Sequence, residues 1–184
     1  PPLGHFNNWL YQCLESMRGG SSMVLGAVLG AMMAVDFGGP VNKAAYLFGT
    51  VTLGAGQERF MADVMLGGMV PPLGVALACT FFPIRFNKSE RHSALMNYLL
   101  GASFVTEGAL PFALRDPLRV IPSCMAGSAL AGALSMLFGC GVPAPHGGLY
   151  LLPLAEKPLL LLWALFLGSA LTAGLLALFR KVSF

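Results

Sequence analysis

Residues 104–123, FVTEGALPFALRDPLRVIPS, decide how the rest of the chain is read. The stretch lies inside a very apolar sequence, yet it carries Glu107, Arg115, Asp116 and Arg119. Pro111, Pro117 and Pro122 deny it one regular helix. A carboxylate at membrane depth costs on the order of a few kcal/mol, and broken backbone there leaves N–H and C=O groups unpaired. Such a segment is tolerated where protein or a water-filled cavity surrounds it, which in membrane transporters is commonly the substrate site. The competing reading puts Glu107 in a loop outside the bilayer, with its apolar neighbours as ordinary core.

Composition supports a bilayer. Of 184 residues, 56% are hydrophobic and 10% charged, whereas soluble domains carry about 25% charged residues. A soluble fold could not hide this much apolar surface, so the chain reads as an integral membrane protein. Its fold class is all-α: a polytopic transmembrane helical protein with broken or re-entrant helices. The 23 glycines suit close helix contact. A net charge of +3 is too small to suggest nucleic acid, and the basic residues sit in clusters between apolar runs, where they report topology. The chain starts at Pro1-Pro2 with no signal-peptide pattern, and we expect it to be the later part of a longer membrane protein.

Outward from the central stretch, the other segments follow by pattern. Residues 5–18 are amphipathic, with Phe6, Trp9, Leu10, Cys13, Leu14 and Met17 near helical spacing. They suit an interfacial helix or a connecting helix packed on protein. Residues 21–35 are apolar, with Gly26 and Gly30 four apart, the spacing for close helix contact. The run DFGGPVNK, residues 36–43, then breaks the helix and brings Asp36, Asn42 and Lys43 to the break; residues 44–56 are apolar again. Both flanks are shorter than a full span of about 20 residues. That favours an intramembrane break over an extramembrane turn.

Residues 60–83 read as a span weakened by Gly67, Gly68, Pro71 and Pro72, with Asp63 at the interface. RFNKSERH, residues 85–92, is the most polar loop and is expected in the cytoplasm. If residues 94–114 crossed fully, Arg115 and Arg119 would sit outside; if they dip in and return, both sit inside. Residues 120–139 then cross, GVPAPHGG at 141–148 forms a second break carrying His146, and residues 158–179 are the clearest span, followed by Arg180 and Lys181. One re-entrant segment and two crossings put all three basic clusters on one side, with the C-terminus cytoplasmic.

Cys13, Cys79, Cys124 and Cys140 lie in or near apolar runs without metal or disulfide spacing, and the three histidines are scattered. No metal or cofactor is expected. DFGGP is not a nucleotide-binding loop, since no Lys-Ser/Thr follows at the required spacing.

Three motifs in order, GAMMAVDFGGPVNKAAYLFG (30–49), FVTEGALPFALRDPLRVIPS (104–123) and VPAPHGGLY (142–150), closely resemble the fructose-type membrane component, EIIC, of the bacterial phosphoenolpyruvate-dependent sugar phosphotransferase system. The resemblance runs from about Asn7 to the C-terminus and corresponds to the later, sugar-binding half of that domain. It implies that residues 1–184 are the later part of a permease domain. Residues 1–20 would form a connecting or interfacial helix, and residues 21–184 the transmembrane and re-entrant segments.

The resemblance also implies an activity. A sugar, fructose by family default, crosses the inner membrane and is phosphorylated on arrival. The phosphoryl group comes from phosphocysteine on a cytoplasmic EIIB domain, charged in turn by EIIA and HPr. The donor's Cys-Pro motif is absent here, since none of the four cysteines precedes a proline. This chain would therefore belong to a protein-phosphocysteine sugar phosphotransferase without carrying its donor residue. The full-length protein is expected to be a homodimer in the lipid bilayer. A non-phosphorylating sugar transporter and an inactive remnant are the alternatives.

Thr106-Glu107 matches the family's Thr-Glu pair, while Phe104 stands where the superfamily has glycine. Phosphoryl transfer works largely through positioning and electrostatics, so a carboxylate that orients the acceptor hydroxyl makes Glu107 the first candidate for catalysis. Asp36, Asn42, Lys43, Thr106 and His146 are the candidates for sugar binding; His146 suits either the site or an extracytoplasmic turn. Arg115 and Arg119 suit either positive-inside anchors, with Asp116 as a local partner, or charge guidance of phospho-EIIB.

Overall fold

The computed structural model describes residues 22–180 together with Gln12. The expected interfacial helix over 5–18 falls, but for Gln12, outside the described residues, as does Lys181. The described helices are α1 (Ser22–Val35), α2 (Pro40–Gly54), α3 (Glu58–Phe81), α4 (Lys88–Ala102), α5 (Leu110–Arg115), α6 (Pro117–Phe138) and α7 (Pro158–Phe179). Short 3-10 turns lie at Pro83–Arg85, Thr106–Ala109 and Gly148–Leu154. An isolated bridge between Gly141 and Glu156 is the one β feature among the described residues. The protein is an all-α membrane protein. Helices α3, α6 and α7 are long and apolar enough to cross a bilayer; at about 1.5 Å per residue they reach roughly 33–36 Å.

The molecule has a basic end and an opposite end. The Arg180 guanidinium, just past α7, meets Glu90 at 2.8 Å and Asp116 at 3.6 Å. Arg115 lies 3.7 Å from the same Glu90. The basic residues at 85, 115, 119 and 180 thus gather at one end, as the re-entrant reading requires. At the opposite end the Val142 N–H donates to the Glu58 carbonyl and the Lys157 ammonium to the Phe138 carbonyl. A cavity of about 530 Å³ opens there, lined by residues including Ser22, Glu58, Arg59 and Glu156.

Two helical hairpins enter from opposite ends. The α1–α2 hairpin starts and finishes at the opposite end, where Ser22 shares the cavity wall with Gly56 and Glu58, and it turns at residues 36–39. The α4–α5 hairpin starts and finishes at the basic end and turns at residues 103–109. Pro40, Pro111 and Pro117 all stand in the first turn of their helices, where the missing N–H has no intrahelical partner to lose. Helix α1 beds closely on α6: a Cβ on Gly30 would lie 2.1 Å from the Ser128 carbonyl oxygen, and one on Gly26 would lie 2.6 Å from that of Gly132. The small-residue spacing read in 21–35 serves this contact.

Helix α3 runs unbroken through Pro71 and Pro72. Pro71 has no N–H for the Gly67 carbonyl four residues back. The buried Ser128 hydroxyl of α6 takes its place, donating to that oxygen at 2.8 Å. Replacing Ser128 with Ala should strand a buried acceptor at a cost of about 1–3 kcal/mol, seen as a lower melting temperature of the detergent-solubilised protein. An unchanged melting temperature would show that the Gly67 carbonyl is satisfied some other way.

Two local expectations are corrected. Residues 88–92 are not loop but the first turn of α4, because Asn87 forms a capping box: its side chain accepts from the Glu90 N–H at 2.8 Å, and Glu90 accepts from the Asn87 N–H at 3.0 Å. Asp63 is not interfacial but wholly buried. Gly26 leaves room for its carboxylate, with Met136 alongside, and neither carboxylate oxygen has a hydrogen-bond partner among the described residues.

Candidate functional site

The two hairpin tips meet beside the middle of α3. A Cβ on Gly38 would lie 2.6 Å from Glu107 Oε1, so the carboxylate rests directly on the tip of the first hairpin. Gly38 has φ +103°, a conformation open to glycine and rarely to other residues. Glu107 itself is exposed and stands in the 3-10 turn Thr106–Ala109. Next to it, Thr106 is buried with its hydroxyl against Gly68 of α3.

Asp36 and Asn42 hold the first tip in shape. The Asp36 carboxylate accepts from the Val41 N–H at 2.7 Å and the Asn42 N–H at 3.0 Å. It thereby satisfies amides that the start of α2 leaves free. In return the buried Asn42 amide donates to the Met33 carbonyl at 2.7 Å, one of the orphan acceptors at the end of α1. The break is a mutually capped joint. Lys43 is exposed on the first turn of α2, and no described contact joins it to Glu107.

Phe104 organises the other side. Its backbone is left-handed, φ +62°, which costs a non-glycine residue about 1–3 kcal/mol. That explains why glycine suits this position. Here the buried ring packs in place of that freedom, with its centroid 6.3 Å from Tyr46 and 5.2 Å from His146. His146 is otherwise exposed. The 141–148 break reaches the same turn at Gly148, where a Cβ would lie 2.2 Å from the Ala102 carbonyl oxygen. All three sequence motifs therefore converge on the α4–α5 tip.

Asn97 escaped the sequence reading. It is buried beside Gly108, its Oδ1 2.7 Å from where that residue's Cβ would be, and its Nδ2 has no hydrogen-bond partner among the described residues. The available signal was a lone amide in an apolar run, on the small-residue face of Ala94 and Gly101.

The fold and this convergence define a polytopic membrane protein whose opposed helical hairpins meet at a polar, partly exposed centre. No family profile matches the chain, and no solved structure matches it. Curated proteins do. The fructose permease IIC component of Bacillus amyloliquefaciens is 47% identical over 180 residues, covering 98% of this chain and 59% of that protein. The fructose-specific EIIC component of Haloferax volcanii is 47% identical over 173 residues, 94% of this chain and 46% of the relative. The fructose-specific EIIB'BC component of Escherichia coli is 43% identical over 182 residues, 98% and 32%. Along 94–98% of its length the chain is thus similar to fructose-specific EIIC components of sugar phosphotransferase systems. It spans less than two thirds of the length of these relatives.

Proposed function

We propose that the chain is the sugar-translocating part of a fructose-type phosphotransferase permease, the later portion of its EIIC domain. Residues 21–184 carry the sugar site. The observation that carries this reading is the Glu107 carboxylate packed on Gly38 where the hairpin tips meet. A carboxylate set on a rigid turn beside a capped helix break can fix one sugar hydroxyl for in-line attack on a phosphoryl group. Thr106 adjoins it, and His146 lies against the Phe104 ring of the same turn. Asp36 keeps lone pairs beyond the two that its backbone partners use, so it can cap α2 and accept from a sugar hydroxyl together. Asn42 keeps that joint closed, and Lys43 offers a cation for sugar or phosphate oxygens. Fructose as substrate rests on the names of the relatives.

The phosphoryl donor is phosphorylated EIIB, charged through EIIA and HPr. The EIIB'BC name of the Escherichia coli relative, in which EIIB and EIIC share one polypeptide, supports that pairing. The basic end faces the cytoplasm of the inner membrane, on the positive-inside rule, and the full-length protein works as a homodimer.

Labelled fructose supplied to vesicles of the full-length protein should appear inside as fructose phosphate only with phospho-EIIB present. Free fructose accumulating without it would instead mark a secondary transporter, and no flux at all an inactive remnant. Arg115 and Arg119 are about half and a third exposed at the basic end, where exposed charge acts mainly on encounter. Replacing both with Ala should raise the KM for phospho-EIIB about three- to tenfold and flatten its salt dependence. An unchanged KM would leave them as topology anchors.

A further inference from the structure

At the root of the α4–α5 hairpin, opposite its tip, lies a buried charge cluster that the sugar site does not use. Its centre is Arg180, with a side chain 10% exposed. One nitrogen, NH2, donates to Glu90 Oε1 at 2.8 Å, while Nε stands 3.6 Å from Asp116 Oδ2. The guanidinium plane covers the Phe86 ring at 4.5 Å, and that ring packs edge-on against Phe112 of α5 at 6.4 Å between centroids. The Arg85 guanidinium donates to the Arg180 carbonyl. Glu90 is 4% exposed, and its other oxygen closes the capping box of α4. One side chain thus grips the start of α4, the α5–α6 junction and the loop before α4. The contacts of Arg115 and Arg119 with these acids are more exposed and weaker in kind.

The hairpin makes such a grip consequential. Helix α4 has 15 residues, about 22 Å at 1.5 Å per residue. A tilt of about 5° at its root therefore displaces the tip by about 2 Å. A misplacement of about 1 Å at a reacting group can cost on the order of a hundredfold in rate. A hairpin entering from one end is held by its root as well as by the contacts of its tip, so a change at the root is carried to the tip.

We propose that Arg180 is a positioning residue for Glu107: with Glu90 and Asp116 it forms a latch that fixes the depth and tilt of the α4–α5 hairpin. The inference rests on the proposed role of Glu107. It requires arginine specifically, because a lysine ammonium cannot reach both acids and also lie flat on Phe86.

The test uses the full-length protein in vesicles with phospho-EIIB and labelled fructose. Turnover per folded molecule is compared for wild type, R180K, R180Q, E90Q and E90Q/R180Q. R180K keeps the charge and should fold, yet lose at least tenfold in turnover. The double variant should lose no more than the worse single, since both residues serve one unit. In a Glu107→Gln background R180K should have no further effect, a pattern that a merely structural role would not give. R180K within twofold of wild type would overturn the proposal. So would additive losses in the double variant, or a full R180K effect without the Glu107 carboxylate. If wild type forms no fructose phosphate, the proposed function fails, and fructose binding decides the latch: a tenfold weaker affinity of R180K supports it, and equal affinity overturns it.

Discussion

Gly38→Ala should cut fructose phosphorylation by about a hundredfold while leaving the protein folded. Two effects add. At φ +103° an alanine is strained, at a cost of about 1–3 kcal/mol, which lowers stability without abolishing the fold. The new methyl would also lie 2.6 Å from Glu107 Oε1, far inside van der Waals contact. The carboxylate end is the softer partner, so it moves. A shift of about 1 Å in a group that aligns an acceptor hydroxyl costs on the order of a hundredfold. Turnover per folded molecule separates the two effects, because strain alone lowers the folded fraction and leaves turnover intact. Full turnover in the folded Gly38→Ala protein would mean that contact between the tips has no part in the chemistry.

Glu107→Gln should lose about 10²- to 10⁴-fold in phosphorylation, the range for a positioned group that manages a proton. Glutamine keeps the length and most of the shape of glutamate, and Glu107 is exposed, so folding should be untouched. What changes is that an acceptor-only carboxylate becomes an amide with one acceptor oxygen. The loss should fall mainly on kcat, because the carboxylate matters most as the sugar hydroxyl gives up its proton. A rise in KM at constant kcat would make Glu107 a binding residue only. Undiminished phosphorylation would remove it from the site and shift attention to Asp36, Asn42 and Lys43.

Much of this arrangement is readable in the sequence. The span over 158–179 is continuous in hydropathy and flanked by Pro158 and Arg180, and α7 has those bounds. The re-entrant course of residues 94–114 follows from charge: a plain crossing strands Arg115 and Arg119 on the wrong side, and the structure brings Arg115 back to Glu90. The break at 36–43 follows from its glycines and proline between two runs too short to span.

Other features depend on partners that a local pattern cannot name. Asp36 and Asn42 look like ligands in the sequence, because a polar residue at a helix break reads the same whether it meets a sugar or an orphan backbone group. In the structure the Asp36 carboxylate and the Asn42 amide bond to the backbone of the joint itself, a role that a local pattern does not disclose. The contact of Gly38 with Glu107 joins residues almost seventy apart. Asp63 looked interfacial by its place near a helix start, and only the glycine it faces on α1 makes room to bury it. The first turn of α4 was hidden by its charge, although the Asn87–Glu90 spacing that caps it stands in the sequence.

The most direct measurement is an experimental structure of the full-length protein with fructose bound. The sugar should lie between the Gly38 and Thr106–Glu107 turns, with one hydroxyl within about 2.6–3.2 Å of the Glu107 carboxylate. Fructose seated away from both hairpin tips, for example in the cavity lined by Glu58, Arg59 and Glu156, with no contact to Glu107, would contradict the site described here.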